Sequence, residues 1–178
     1  MRVLSVDWGA TPGYICIDPV AKRTILWGKL GDKHNSMEVQ AVIATADPDL
    51  ILMEAPFIGR KFGLVAMLNN RSRWVIIADL MDVDVESVYP KTWQKYYRDL
   101  YKYEFGDKKS YIKLASKIMK QKKINTHIAD AVLLSRWWCH EHRHINGKKE
   151  LLANWPLAHP DEVTGNTLSV KITPVEFK

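Results

Sequence analysis

The sequence predicts a mixed α/β domain, and three observations carry that reading. Three β-rich runs separated by turn residues open the chain, a strand–helix–strand alternation occupies positions 50 to 89, and helical periodicity dominates from Pro90 to His142. At 178 residues the chain can close one full hydrophobic core but not two ordinary ones. One domain is therefore expected over residues 1–142, followed by a C-terminal extension over 143–178.

The opening runs are Arg2 to Asp7, Tyr14 to Asp18 and Thr24 to Lys29, divided by Gly9, Pro12, Gly13 and Asp18-Pro19. Such punctuation predicts an antiparallel meander. Asn35 to Ala46 places apolar residues at Met37, Val39, Val42 and Ile43, as an amphipathic helix would. Leu50 to Glu54 is a short apolar strand that ends on a carboxylate. Beyond a loop with Pro56, Gly59, Arg60 and Lys61 lies a mostly apolar helix from Phe62 to Leu80, then a strand from Val83 to Tyr89. Further helices are expected near Trp93 to Tyr97, over Lys108 to Lys120 and over Thr126 to His142. The extension contains Asn146-Gly147, Trp155-Pro156, His159-Pro160 and Gly165-Asn166, so it reads as irregular, with one strand at Leu168 to Ile172.

Charge narrows the partner. Lys and Arg number 26 against 20 Asp and Glu, a net charge of +6 that suits a polyanion, although a basic soluble protein with no such partner has the same composition. Cys16 and Cys139 show no CxxC spacing, which argues against a disulfide framework or a cysteine zinc site. The start of the chain lacks the pattern of a secretion signal, and no apolar run reaches membrane-spanning length, so a cytoplasmic protein is expected.

Three acids fall where buried elements emerge. Asp7 follows Val3-Leu4-Ser5-Val6, Glu54 follows Leu50-Ile51-Leu52-Met53, and Asp130 lies in the first turns of the last helix. Taken singly, each fits a solvated or capping residue. Together they offer the oxygen-rich, electronegative setting that Mg²⁺ or Mn²⁺ requires. Two such ions about 3.5–4 Å apart can activate water and stabilise the leaving oxygen of a phosphodiester. His127, three residues before Asp130, shares its helical face.

These residues resemble the RuvC family of Holliday junction resolvases, particularly its small phage members. Val3 to Gly9 with Gly13-Tyr14 is similar to the family's first strand, aspartate and glycine turn; Ile51 to Phe57 is similar to the strand carrying the second acid; Ile128-Ala129-Asp130-Ala131 resembles the last acidic motif. The resemblance spans residues 1 to about 140. It implies a ribonuclease-H-like fold with a five-stranded mixed sheet, a homodimer formed through the helix at 62–80, and Mg²⁺-dependent nicking of four-way junctions, with Mn²⁺ able to substitute. By the same resemblance Asp7, Glu54 and Asp130 become metal ligands. His127 stands where many members carry another aspartate, as a ligand or as the group that positions the nucleophilic water. Lys91 and Lys108, with Lys109 as an alternative to Lys108, resemble phosphate-contacting lysines. Phe57 matches an aromatic that stacks on a base, and Arg60 and Lys61 in the same loop would add DNA contacts.

Two other readings stay open. His140-Glu141-His142-Arg143-His144 fits HExxH, with Gly147 and Glu150 extending it toward a zinc peptidase. The turn at Asn146-Gly147 and the absence of any methionine after Met119 argue against that site. An RNA–DNA hybrid nuclease of the same fold also fits the acids, because a fold does not fix its substrate. The opening Asp7-x-Gly9 alone would allow a phosphate-binding ATPase of the actin type, but the chain is too short for its paired domains.

Overall fold

A computed structural model describes residues 1–56, 64–101, 107–121 and 123–142. The expected strand over Leu168 to Ile172, the extension from Arg143 onward and the loop residues Phe57, Arg60 and Lys61 lie outside them. The described elements run β1 (Val3–Asp7), β2 (Gly13–Asp18), β3 (Arg23–Lys29), α1 (Ser36–Ala46), β4 (Leu50–Glu54), α2 (Leu64–Leu80), β5 (Asp84–Val88), α3 (Pro90–Tyr101), α4 (Lys108–Met119) and α5 (Thr126–Glu141).

The strands form one sheet in the order β3-β2-β1-β4-β5. β1–β2 and β2–β3 are antiparallel, as the meander requires, whereas β1–β4 and β4–β5 are parallel. This is the mixed five-stranded sheet expected from the sequence. Its two faces are covered by different helices. Val3, Ile15, Ile17 and Leu52 pack with α3, α4 and α5, whereas Leu4, Val6, Cys16, Ile51 and Met53 pack with α1 and α2. The period-two alternation of strand side chains sends neighbouring residues into different cores, which is why the central strands read as unbroken apolar runs.

Local chemistry explains the helix boundaries. Asn35 caps α1 and makes a reciprocal capping box with Glu38, satisfying two backbone N–H groups that the first turn leaves open. The buried stripe of α1 is Val39, Val42, Ile43 and Ala46; Met37, placed on that face by the sequence reading, is 54% exposed. Residue 37 lies in the first turn, before the stripe reaches the sheet. The helix expected only around Trp93 to Tyr97 extends from Pro90 to Tyr101. Pro90 suits a first helical position because its ring presets φ and its missing N–H would have had no helical partner. Asp107 and Asn125 cap α4 and α5 by accepting from the Lys109 and Ile128 backbone amides, without a reciprocal box.

Gly13 determines how closely α5 can approach. A Cβ built there would lie 2.2 Å from the carbonyl carbon of His127 and 2.4 Å from the Ile128 nitrogen, so the α5 backbone rests on bare β2 backbone. Gly13→Ala should therefore destabilise the fold by about 1–3 kcal/mol, the usual range for overpacking. Gly31, with nothing within 4 Å of its built Cβ, should accept alanine with a change below about 0.5 kcal/mol. Urea unfolding of both variants measures the contrast; equal midpoints would contradict it.

Candidate active site

β1 and β4 are adjacent and run in the same direction, with Val6 opposite Met53, so Asp7 and Glu54 leave the sheet at the same edge. Strand alternation gives them the same face. Val3 and Leu52 point toward α5, and Asp7 and Glu54 follow each of them at even spacing. Helix α5 crosses that face with its N-terminal turns over Gly13, which brings His127 and Asp130 to the two strand ends.

The contacts are specific. His127 Nδ1 lies 2.5 Å from Asp7 Oδ2, a pairing of side chains 120 residues apart. The Gly9 amide donates to Asp7 Oδ1 at 3.3 Å, and a Cβ at Gly9 would crowd the His127 ring at 3.2 Å. Glu54 is held by two indoles: Trp8 Nε1 donates to its backbone oxygen at 2.7 Å, and Trp93 Nε1 donates to its Oε1 at 2.9 Å. A hydrogen bond to a charged group contributes about 1.5–3 kcal/mol, enough to offset part of the cost of burying that carboxylate.

Electrostatics show that the acids sense one another. Burial first, then the charge of Asp7, pushes Glu54 up to about 7, while the Trp93 hydrogen bond pulls it down. Asp130 is pushed up to about 8 by burial, then by Asp7 and Glu54, with Lys108 opposing. The hydrogen bond that His127 donates to Asp7 raises His127 despite its burial and despite Lys108 and Lys29. Tyr111 is raised to about 12 by burial and then by Asp130 and Glu54, so its ring borders the same cluster.

Asp7, Glu54, His127 and Asp130 are thus neighbours, yet they are not a finished ligand sphere. Among the described residues, no group of three or more His, Cys, Asp or Glu side chains is arranged so that it could hold a metal ion as it stands. In this arrangement Asp7 Oδ2 faces His127 Nδ1, and Glu54 Oε1 accepts from Trp93 Nε1.

The lysines divide. Lys108, exposed at the start of α4, acts on both His127 and Asp130, whereas the charge of Lys109 is not among those acting on them. Lys91 is exposed at the second position of α3, on the helix that carries Trp93, and also does not enter the balance of the cluster. Sequence reading missed Lys29, which ends β3 opposite Gly13 and acts on His127, and the indoles of Trp8 and Trp93. The sequence signal for Trp8 was its position directly after a strand end; Trp93, inside α3, had none beyond helical spacing. Cys16 and Cys139 are free and buried in the two different cores, so no disulfide joins them. In the HExxH segment His140 lies 3.3 Å from its neighbour Glu141 and its ring tilts against Tyr96; His144, Gly147 and Glu150 lie outside the described residues.

Known structures share this fold. RuvC of Thermus thermophilus in complex with Holliday junction substrate superposes with a TM-score of 0.58 at 16% identity, covering 80% of this chain and 96% of that one. The fold is that of RuvC. A second T. thermophilus RuvC structure matches with a TM-score of 0.56 at 18% identity over 75% of this chain and 90% of that one. Fowlpox virus resolvase, in complex with Holliday junction DNA, matches with a TM-score of 0.52 at 16% identity over 79% of this chain and 98% of that one. No family model matches the chain, and no curated protein matches it in sequence. The RuvC fold gives the ribonuclease-H-like sheet expected from the sequence. Among the described residues no helix is long and apolar enough to cross a membrane.

The raised Asp130 fixes a pH dependence. Between about pH 4 and about pH 8 the native state holds a proton that the unfolded chain has released, so stability falls as pH rises through that window. Asp130→Asn removes the loss. In chelator-treated buffer the variant should melt above wild type at pH 8 and level with it near pH 4; parallel melting curves at both values would refute the assignment.

Proposed function

We propose that this protein is a structure-selective DNA endonuclease that resolves Holliday junctions and other branched DNA by divalent-metal-dependent phosphodiester hydrolysis. One observation carries the proposal: within a RuvC fold, Asp7 and Glu54 leave adjacent parallel strands on one face, where α5 brings His127 and Asp130 against them. The carboxyl ends of parallel strands are where open α/β sheets place their ligands.

The donor chemistry fits Mg²⁺, with Mn²⁺ as a substitute. Asp7, Glu54 and Asp130 are carboxylates packed closely enough that Asp7 raises the proton affinity of Glu54, and Asp7 and Glu54 raise that of Asp130, a strain that a dication relieves, and hard cations favour such oxygens. Together with His127 they would hold it. When bound, the cation would supply an activated water and neutralise charge on the scissile phosphate. The chain does the rest. His127 orients Asp7, and Lys108 is near enough to offset negative charge beside Asp130. Lys91, Lys109, Arg60 and Lys61 would contact neighbouring phosphates, and Phe57 would stack on a base. The net charge of +6 favours the polyanion.

The active form is proposed to be a homodimer through α2. Val65, Met67, Leu68, Ile76 and Leu80 are all exposed on that helix, more apolar surface than one solvated helix needs. Two-fold symmetry would match paired nicks on opposite strands of a four-way junction.

The decisive assay presents matched four-way, flap, RNA–DNA hybrid and linear substrates with Mg²⁺, Mn²⁺ or EDTA. Paired nicks in the four-way junction, lost in EDTA, are expected. Asp7→Asn and Glu54→Gln should each lower cleavage by about a hundredfold or more, a loss of roughly 2.7 kcal/mol in transition-state stabilisation, with junction binding retained. His140→Ala should cleave within about threefold of wild type, a change of less than 1 kcal/mol. Preference for the hybrid substrate would reject the junction reading, and undiminished cleavage by Asp7→Asn would reject the site.

A further inference from the structure

Trp93 is set in the apolar core by its ring but not by its polar atom. The ring is 1% exposed and meets Tyr97 and Tyr111 edge-on, with centroids 6.3 and 5.8 Å away. A buried indole N–H needs an acceptor. The acceptor here is Oε1 of Glu54, on the strand beside β1, at 2.9 Å. Trp8 Nε1 meanwhile holds the backbone oxygen of the same glutamate at 2.7 Å. Main chain and side chain of Glu54 are therefore each fixed by a separate indole, and one of those indoles is itself locked between two aromatic rings.

We propose that Trp93 is a positioning residue that fixes the Glu54 carboxylate for divalent-cation binding. The inference rests on the reading of this edge as a metal site. Partners that orient a ligating carboxylate commonly alter metal affinity by about 10–100-fold when removed, although they never touch the ion. Phenylalanine at 93 keeps an aromatic ring and deletes the donor.

The test is Mn²⁺ binding to full-length protein, read by electron paramagnetic resonance, in a cycle of Trp93→Phe, Glu54→Gln and the double variant. Trp93→Phe should weaken Mn²⁺ binding by about tenfold or more in the Glu54 background and leave it unchanged in the Glu54→Gln background. Equal weakening in both backgrounds would make Trp93 a packing residue and overturn the proposal, as would unchanged affinity in a folded Trp93→Phe. If that variant does not fold, benzothienylalanine at position 93 removes only the N–H from a ring of nearly the same shape, and the same two outcomes decide. A wild-type protein that binds no Mn²⁺, or a Glu54→Gln variant that binds it undiminished, would instead overturn the metal-site reading beneath the proposal.

Discussion

The contact between the first turns of α5 and the bare backbone of β2 at Gly13 sets the geometry of the acidic edge. A helix normally stands off a sheet by the length of its side chains. Here the His127 carbonyl carbon would be 2.2 Å from a Cβ at Gly13, so the stand-off is reduced to backbone contact. The approach puts the His127 ring against Asp7 and brings Asp130 within electrostatic reach of both strand-end acids. Gly9 keeps the space for that ring.

Bringing acids together in a half-buried place is costly, and the structure shows how the cost is distributed. Asp7 is ion-paired with His127, Glu54 takes a proton-donating indole, and Asp130 retains affinity for a proton of its own near neutral pH. Three similar groups thus meet three different partners. Environments that separate the behaviour of like carboxyl groups are characteristic of reactive sites, because each group is then suited to a different role.

Much of this was legible in the sequence, for identifiable reasons. The strand-end positions of Asp7 and Glu54 follow from apolar runs that stop abruptly, and the Asn35, Asp107 and Asn125 caps follow from helix-start chemistry. The parallel pairing of β1 with β4 is not local, and periodicity says nothing about it; resemblance to the RuvC family implied a mixed sheet, and the structure supplies the pairing. Trp93 was hidden for a different reason. Its spacing with Tyr97 is that of an ordinary buried helix face, and nothing in a one-dimensional pattern tells which acceptor an indole N–H will find 39 residues away. Met37 misled because apolar identity in a first turn does not ensure that the helix has yet met the sheet.

The sheet also divides the interior. Residues of β1 alternate between a layer shared with α1 and α2 and a layer shared with α3, α4 and α5, with the sheet between them. The acids and Trp93 belong to the second layer, while Trp8 and the inner face of α2 belong to the first. The molecule therefore has two workshops with a common wall. Side chains under α2 can be exchanged while the hydrogen-bonded wall keeps the acidic cluster on its far side in register.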